Sequence, residues 1–106
     1  MGGQGSGLKP RVEMRDLSHG EIKNVAKLLE SLVPPRSSPP IWSIARSAAL
    51  VGIHNTLFTK FRRRPAKLDV NPAHLTALAL YFDCTVPDLL AGRGKPKQAP
   101  WLTATP

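Results

Sequence analysis

The stretch from Asn55 to Arg63 carries the side chains with the clearest chemical potential in this sequence. Amide, hydroxyl and cationic groups stand close together there: Asn55, Thr56, Thr59, Lys60, Arg62 and Arg63. Amides and hydroxyls hydrogen-bond the edges of nucleic-acid bases, and lysine and arginine neutralise phosphates. Because no acidic residue interrupts the stretch, its composition is that of a surface that binds a polyanion.

Helical spacing separates these polar groups from three apolar ones. At about 100° per residue, Leu57, Phe58 and Phe61 fall within a sector roughly 100° wide, and the polar side chains occupy the opposite side. The sequence therefore predicts an amphipathic helix that docks on a core through its apolar sector. Taken alone, this pattern also fits an ordinary surface helix with a solvated polar face.

The distribution of charge favours the anion-binding interpretation. The chain of 106 residues has 15 Lys and Arg against 7 Asp and Glu, which gives a net charge of +8. Between Ser31 and Leu68 there are seven basic residues and no acidic one, whereas residues 1–30 hold five basic and four acidic residues. Since the excess is confined to one stretch, we expect it to form a binding surface rather than to serve solubility alone.

Length and composition exclude other classes of protein. A chain of this size fits one small domain. It contains no apolar run that approaches the length of a transmembrane helix, about 20 residues, and it has no secretory signal. His19, His54 and His74 are scattered and Cys84 is the single cysteine, so neither a metal site nor a disulfide is expected. We therefore expect a cytoplasmic protein that is not an enzyme and has no cofactor.

Caps and prolines predict where the first helix begins and ends. Ser18-x-x-Glu21 has the spacing of a capping box, and apolar residues repeat at helical spacing from Ile22 to Leu32. Residues 34–40 contain four prolines, which end the helix and predict a stiff surface connection. Before this helix, residues 1–7 are glycine-rich and are interpreted as a disordered arm or a non-native leader.

The same signals predict four further helices. The second runs over about 41–50 and ends at Gly52, and the third begins near His54 and ends before Pro65. Asn71, followed by proline, opens a fourth helix to about residue 82, and Thr85-x-x-Asp88 opens a short fifth helix closed by Gly92. Residues 64–70 are predicted to form a basic loop. No strand-like alternation of useful length appears, so the predicted fold class is all-α.

The second to fifth helices resemble those of a known family. Ala48-x-x-x-Gly52-Ile53 places a small residue on one helix and a glycine in the turn, which lets two helices cross closely. The segment 74–90, HLTALALYFDCTVPDLL, is similar to the pattern L-x-x-L-A-x-x-L-x-V/C-S-x-x-D-L-L that closes the helix-turn-helix domain of lambda-type repressors, Cro proteins and XRE regulators. The resemblance covers residues 43–92, about half of the chain, and implies a five-helix lambda-repressor-like domain.

The resemblance also implies a function and a set of contacts. The third helix would enter the major groove and contact base edges through Asn55, Thr56, Thr59, Lys60 and Arg63. The DNA backbone would be contacted by Arg46, His54, Arg62, Arg64 and Lys67, with capping of the third helix as an alternative role for His54. The implied protein is a nucleoid-associated transcriptional regulator, a repressor that binds a partly palindromic operator in double-stranded DNA as a homodimer.

The sequence departs from the family at a few positions. Ile44 stands where the family often has glutamine, and Ser47 occupies a position that is usually apolar. The connection over residues 34–40 is longer than the family norm, and Arg62-Arg63-Arg64 replaces a common Glu-x-Gly. The predicted organisation is thus a flexible arm over residues 1–17, a DNA-binding domain over 18–92 and a proline-rich tail over 93–106.

Some residues leave two interpretations open. Trp42 fits packing beneath the prolines or contact with a partner, and Trp101 fits an interaction anchor or a disordered tail. Cys84 fits a core filler or a reactive thiol. Leu89, Leu90 and the outer residues of the fourth helix fit a dimer face or the core of a monomer.

Two other functions compete with the DNA-binding regulator. The tail and the proline-rich connection would suit a protein-interaction module, such as an antitoxin or anti-activator that uses this fold to engage a protein partner. The arginine run would by itself suit nonspecific coating of nucleic acid.

Overall fold

The computed structural model describes residues 14–35 and 42–102, which form a mostly helical domain with a small sheet. In chain order the elements are β1 (Arg15–Ser18), α1 (His19–Glu30), α2 (Ile44–Val51), α3 (Asn55–Arg63), β2 (Lys67–Val70), α4 (Pro72–Tyr81), α5 (Val86–Leu90) and a 3-10 turn (Pro100–Leu102). The glycine-rich arm, residues 36–40 of the proline-rich connection and the last four residues lie outside the described ranges.

The two strands correct the prediction of an all-α chain. β1 pairs with β2 in antiparallel register, with Arg15 opposite Val70 and Leu17 opposite Leu68. The pairing replaces most of the basic loop predicted over residues 64–70 with β2, and it takes residues 15–17 out of the predicted flexible arm. Leu17 and Val70 are fully buried and Leu68 nearly so, so the sheet is held to the helices by its apolar face. Four residues per strand gave too short an alternation to be recognised in the sequence.

Local capping fixes the start of α1 as predicted. The Ser18 side chain accepts a hydrogen bond from the backbone N–H of Glu21, and the Glu21 carboxylate accepts one from the N–H of Ser18. This reciprocal pair satisfies two of the N–H groups that a helix start leaves without partners. One face of α1, from Ile22 to Leu29, is buried in the core.

The turn between α2 and α3 depends on a glycine in the left-handed region. Gly52 has φ +96°, and the Ala48 carbonyl accepts hydrogen bonds from the N–H groups of Gly52 and Ile53 at 2.9 and 3.0 Å. A β-carbon on Gly52 would lie 3.5 Å from the β-carbon of Ala77 on α4. The predicted C-cap is therefore confirmed, and the turn packs closely against a neighbouring helix.

The core is organised around α3. Phe58 and Phe61 are fully buried and Leu57 is half-buried, which confirms the predicted apolar sector. This sector packs against α1 and α2. Burying a phenylalanine side chain stabilises a fold by about 1.5–3 kcal/mol, so the two rings fix α3 firmly in position and orientation.

The fourth and fifth helices also begin at the predicted caps. The Asn71 side chain accepts a hydrogen bond from the N–H of Ala73, and the Thr85 side chain accepts one from the N–H of Asp88. Leu89 and Leu90 are buried in the core. Their role is thus in the interior of this chain, which decides between the two interpretations that the sequence left open.

Residues 93–102, which we name the C-terminal strap, pack back against the helices instead of forming a separate tail. Gly94 lies against the side chain of Leu28 on α1, and Lys97 forms an ion pair with Asp83 at 3.2 Å. The ring of Trp101 lies 6.4 Å, centroid to centroid, from that of Trp42. The packed unit therefore begins before residue 18 and continues beyond residue 92, at both ends past the predicted domain boundaries.

Candidate nucleic-acid interface

The five residues predicted to contact bases lie together on one exposed side of α3. A shallow depression on the surface is lined by these residues alone: Asn55, Thr56, Thr59, Lys60 and Arg63. All five side chains are exposed. We call this surface the polar face of α3. It lies opposite the sector that holds Phe58 and Phe61 in the core.

The start of the polar face is fixed by a histidine cap. The Nδ1 atom of His54 accepts a hydrogen bond from the backbone N–H of Thr56 at 3.1 Å. His54 thereby takes the capping role, the alternative to DNA-backbone contact considered for it. An accepting Nδ1 also places the proton of the neutral imidazole on Nε2.

Thr59 has only part of its hydrogen-bonding capacity available to a ligand. Its hydroxyl donates to the backbone carbonyl of Asn55 at 3.1 Å. The hydroxyl oxygen keeps its lone pairs and the side chain keeps its exposed methyl group. In this rotamer Thr59 can therefore accept a hydrogen bond or make an apolar contact, whereas donation to a ligand requires it to rotate.

The cations on the polar face, Lys60 and Arg63, and the neighbouring Arg62 are not neutralised by acidic side chains. Among the residues that the structure describes, none of the three forms an ion pair. A second depression shares Lys60 and Arg63 with the first and continues to Lys67 on β2. Because Lys67 itself pairs with Asp16, the uncompensated positive charge described here is that of α3.

The remaining residues predicted to contact the DNA backbone are in other environments. Arg64 forms an ion pair with Glu30 of α1, and Lys67 lies 3.5 Å from the Asp16 carboxylate. The guanidinium of the exposed Arg46 lies over the ring of Trp42, 5.0 Å from its centroid. The structure therefore brings together the five residues predicted to contact bases. The residues predicted to contact the DNA backbone are distributed over α2, α3 with its two caps, and β2.

Two consecutive hydrogen bonds beside α2 were not predicted from the sequence. The Nε1 atom of Trp42 donates to the Ser47 hydroxyl at 2.8 Å, and that hydroxyl donates to the Leu32 carbonyl at 2.7 Å. Ser47 is fully buried, and these two bonds satisfy its hydroxyl group. The sequence showed a serine at a usually apolar position, which signals a buried hydrogen bond. It did not show which groups are the partners of that serine.

Two titratable groups with shifted pKa values lie near α5, away from the polar face. Burial raises the pKa of the Cys84 thiol above its ordinary value, and the carboxylates of Asp88 and Asp83 raise it further. Hydrogen bonds from Arg93 and Thr85 lower the pKa of the Asp88 carboxyl group. A partly buried, protonated thiol packed against the core matches the core-filler interpretation of Cys84 better than the reactive one.

The described part of the chain contains neither a metal-binding cluster nor a membrane-spanning helix. Residues 14–35 and 42–102 contain no group of three or more His, Cys, Asp and Glu side chains that could hold a metal ion. Within the same ranges, no helix combines the length and the apolar character needed to cross a bilayer.

Comparison with protein-family models, with curated proteins and with solved structures gave no match for this chain.

Proposed function

We propose that this protein binds double-stranded DNA through the polar face of α3 and recognises sequence in the major groove. The observation that carries the proposal is the common exposed position of the five polar residues with uncompensated cations beside them. A helix fits the major groove, and base edges there present donors and acceptors that such side chains match. The regulatory role that we propose is transcriptional repression.

The chemistry of each side chain suggests its role. The Asn55 amide pairs with adenine, which offers an acceptor at N7 and a donor at N6. Lys60 and Arg63 donate to guanine or to phosphates, and Arg63 has the forked guanidinium that suits guanine O6 and N7. Thr56 and Thr59 accept hydrogen bonds or contact thymine methyl groups. Arg46 and Arg62 contact the DNA backbone.

The arrangement of α2 and α3 supports a helix-turn-helix assignment. The left-handed Gly52 and the buried Ala48 bring the two helices together in a short turn, and two phenylalanines anchor the second helix of the pair. These are features for which the sequence resembles lambda-type repressors, Cro proteins and XRE regulators. In that geometry the second helix is the one that reads bases.

Exposed apolar side chains support a dimer as the DNA-binding form. Leu80 on α4 is 73% exposed and Leu50 on α2 is 47% exposed. In α4, His74 and Tyr81 are the only titratable side chains. We propose that two copies associate through the side of the molecule that carries Leu80. A two-fold dimer would place its α3 helices in successive major grooves, about 34 Å apart on a partly palindromic operator.

The protein-interaction alternative was based on the tail with Trp101 and on the proline-rich connection. Trp101 is half-buried next to Trp42, which removes one of these two supports, and residues 36–40 of the connection lie outside the described residues. The polar face of α3 therefore favours the DNA-binding proposal.

The proposal is tested by selecting duplexes from a random library with the full chain and measuring binding by mobility shift. We expect Asn55→Ala and Arg63→Ala to weaken binding to the selected duplex by about 1–3 kcal/mol, with a smaller effect on a random-sequence duplex. Lys23→Ala, at an exposed lysine of α1, serves as the matched control and leaves sequence preference unchanged. Equal losses on both duplexes, or no enrichment in the selection, would contradict base recognition.

A further inference from the structure

Trp101, the last but one residue of the C-terminal strap, pairs with Trp42, and the ring of Trp42 also lies against Arg46. The rings of Trp101 and Trp42 are 6.4 Å apart and inclined by 59°, a separation within the range of interacting aromatic pairs. The Trp42 ring also lies beneath the Arg46 guanidinium, at 5.0 Å. A single ring therefore contacts both the end of the strap and a cation on the first turn of α2.

Trp42 depends on neighbouring side chains for its position. It lies outside regular secondary structure, two residues before α2 begins at Ile44. Its Nε1 bond to Ser47 fixes one edge of the indole, and Trp101 packs beside the ring. Without Trp101, the indole gains exposed surface and rotational freedom.

Trp42 is one of the groups that hold Arg46 in position. An arginine side chain has many rotamers, and a cation within about 6 Å of an indole face is attracted to the ring. Holding the guanidinium in one place before binding reduces the entropy that is lost when it contacts a phosphate.

We propose that Trp101 and Trp42 are positioning residues that orient Arg46 toward a DNA phosphate, so that the C-terminal strap sets part of the affinity for duplex DNA. The inference rests on the proposed function, because it requires that Arg46 meets the DNA backbone. It gives a role to the strap, the segment that was predicted from the sequence to be a separate tail.

Other contacts along the strap also hold it against the helices. The position of Trp101 near Trp42 therefore does not depend on the contact between the two rings alone. The Nε atom of Arg93 donates to the Asp88 carboxylate at 2.8 Å. Lys97 lies over the Tyr81 ring at 5.0 Å and pairs with Asp83. These contacts bring the end of the strap near α2 before DNA is present.

The first experiment examines the tryptophan contact without DNA. The chain has two tryptophans, so in Trp101→Phe and Trp101→Ala all tryptophan emission comes from Trp42. We expect emission from Trp101→Ala at longer wavelength and with greater acrylamide quenching than emission from Trp101→Phe. Identical spectra and quenching in the two variants would overturn the contact on which the proposal depends.

The second experiment measures binding to a random-sequence duplex at fixed salt by fluorescence anisotropy. We expect Trp101→Ala to bind about threefold to tenfold more weakly than the parent chain, and Trp101→Phe to restore most of the affinity. Leu102→Ala, which alters an exposed neighbour in the same 3-10 turn, is the matched control and should bind as the parent does. Circular dichroism checks folding, and Trp101→Leu replaces Trp101→Ala should that variant not fold.

A double-mutant cycle separates positioning from general destabilisation. We expect Trp101→Ala to have no further effect in an Arg46→Ala background and its full effect in an Arg62→Ala background. Equal effects in both backgrounds, or an unchanged affinity of Trp101→Ala, would overturn the inference while leaving the proposed function intact. A parent chain that binds no duplex would overturn both, and the anisotropy of the parent alone reports that outcome.

Discussion

Arg62, Arg63 and Arg64 are adjacent in the sequence but occupy three different environments. Arg63 lines the polar face of α3, and Arg62 is exposed without an ion pair among the described residues. Arg64 adopts the left-handed conformation at φ +54° and pairs with Glu30. The formal charge of the run therefore overstates the positive charge available to a ligand.

Salt dependence should distinguish Arg62 from Arg64. We expect Arg62→Ala to reduce the slope of log affinity against log salt by about one, the effect of losing one phosphate contact. Arg64→Ala should change the slope less, because Glu30 already neutralises that guanidinium. Titrations of a random-sequence duplex at several salt concentrations measure both slopes, and equal reductions would contradict the assignment of Arg64 to a structural ion pair.

The raised pKa of Cys84 should make its thiol slow to react. Only the thiolate is nucleophilic, and a higher pKa leaves less thiolate at a given pH. We expect iodoacetamide to alkylate Cys84 more slowly than a cysteine in an unstructured peptide at pH 8, with the rate rising at higher pH than for the peptide.

Asp88→Asn provides the comparison for Cys84. It removes a carboxylate that raises the thiol pKa, so alkylation should become faster at the same pH. Mass spectrometry follows the modification, and a pH profile equal to that of the peptide would show that the pKa is not raised.

The polar face could be predicted from sequence because its five residues belong to one helix. Within a helix, spacing fixes which side chains share a side. The ion pair of Arg64 with Glu30 and the hydrogen bond of Ser47 to Leu32 join residues far apart in the chain. No local pattern specifies such partners, so the environments of these residues became known only from the structure.

At the scale of elements, the predictions that depend on residues close to one another in the sequence are confirmed. The caps at Ser18, Asn71 and Thr85 and the glycine at position 52 all stand where local hydrogen-bonding rules place them. The sheet was missed because its strands are separated by about 50 residues, and pairing over that distance is decided by tertiary packing.

The turn between α2 and α3 should be sensitive to a single methyl group. We expect Gly52→Ala to lower the free energy of unfolding by about 1–2 kcal/mol, because a residue with a β-carbon is strained in the left-handed region. Gly20→Ala is the matched control: a β-carbon there meets no atom within 4 Å, and alanine in a helix is favoured by about 0.5–1 kcal/mol. Urea denaturation measures both, and equal stabilities of the two variants would contradict the argument.

At the scale of the whole molecule, both ends of the described chain take part in packing. β1 precedes α1 and pairs with β2, while the C-terminal strap returns to Trp42. The exposed apolar surface that remains on the helices includes Leu50 and Leu80. A segment-by-segment description of arm, domain and tail does not capture these long-range contacts.

Self-association should depend on Leu80. We expect Leu80→Lys to shift the protein toward monomer and to weaken binding to a two-fold operator, because a charge replaces apolar contact at the proposed interface. Met14→Lys, at a side chain that is 56% exposed outside α4, is the control and leaves the association constant unchanged. Sedimentation velocity over a range of concentrations measures this constant, and identical values for the two variants would exclude this face.

The hydrogen bond between Ser47 and Leu32 has a consequence for the evolution and engineering of this protein. It joins the turn after α1 directly to α2, and neither partner belongs to the residues that link the two parts. We expect the link to tolerate insertions, such as an epitope or a fluorophore-labelling peptide, with little loss of stability. A chain with a longer link should then keep the same contact between Ser47 and Leu32.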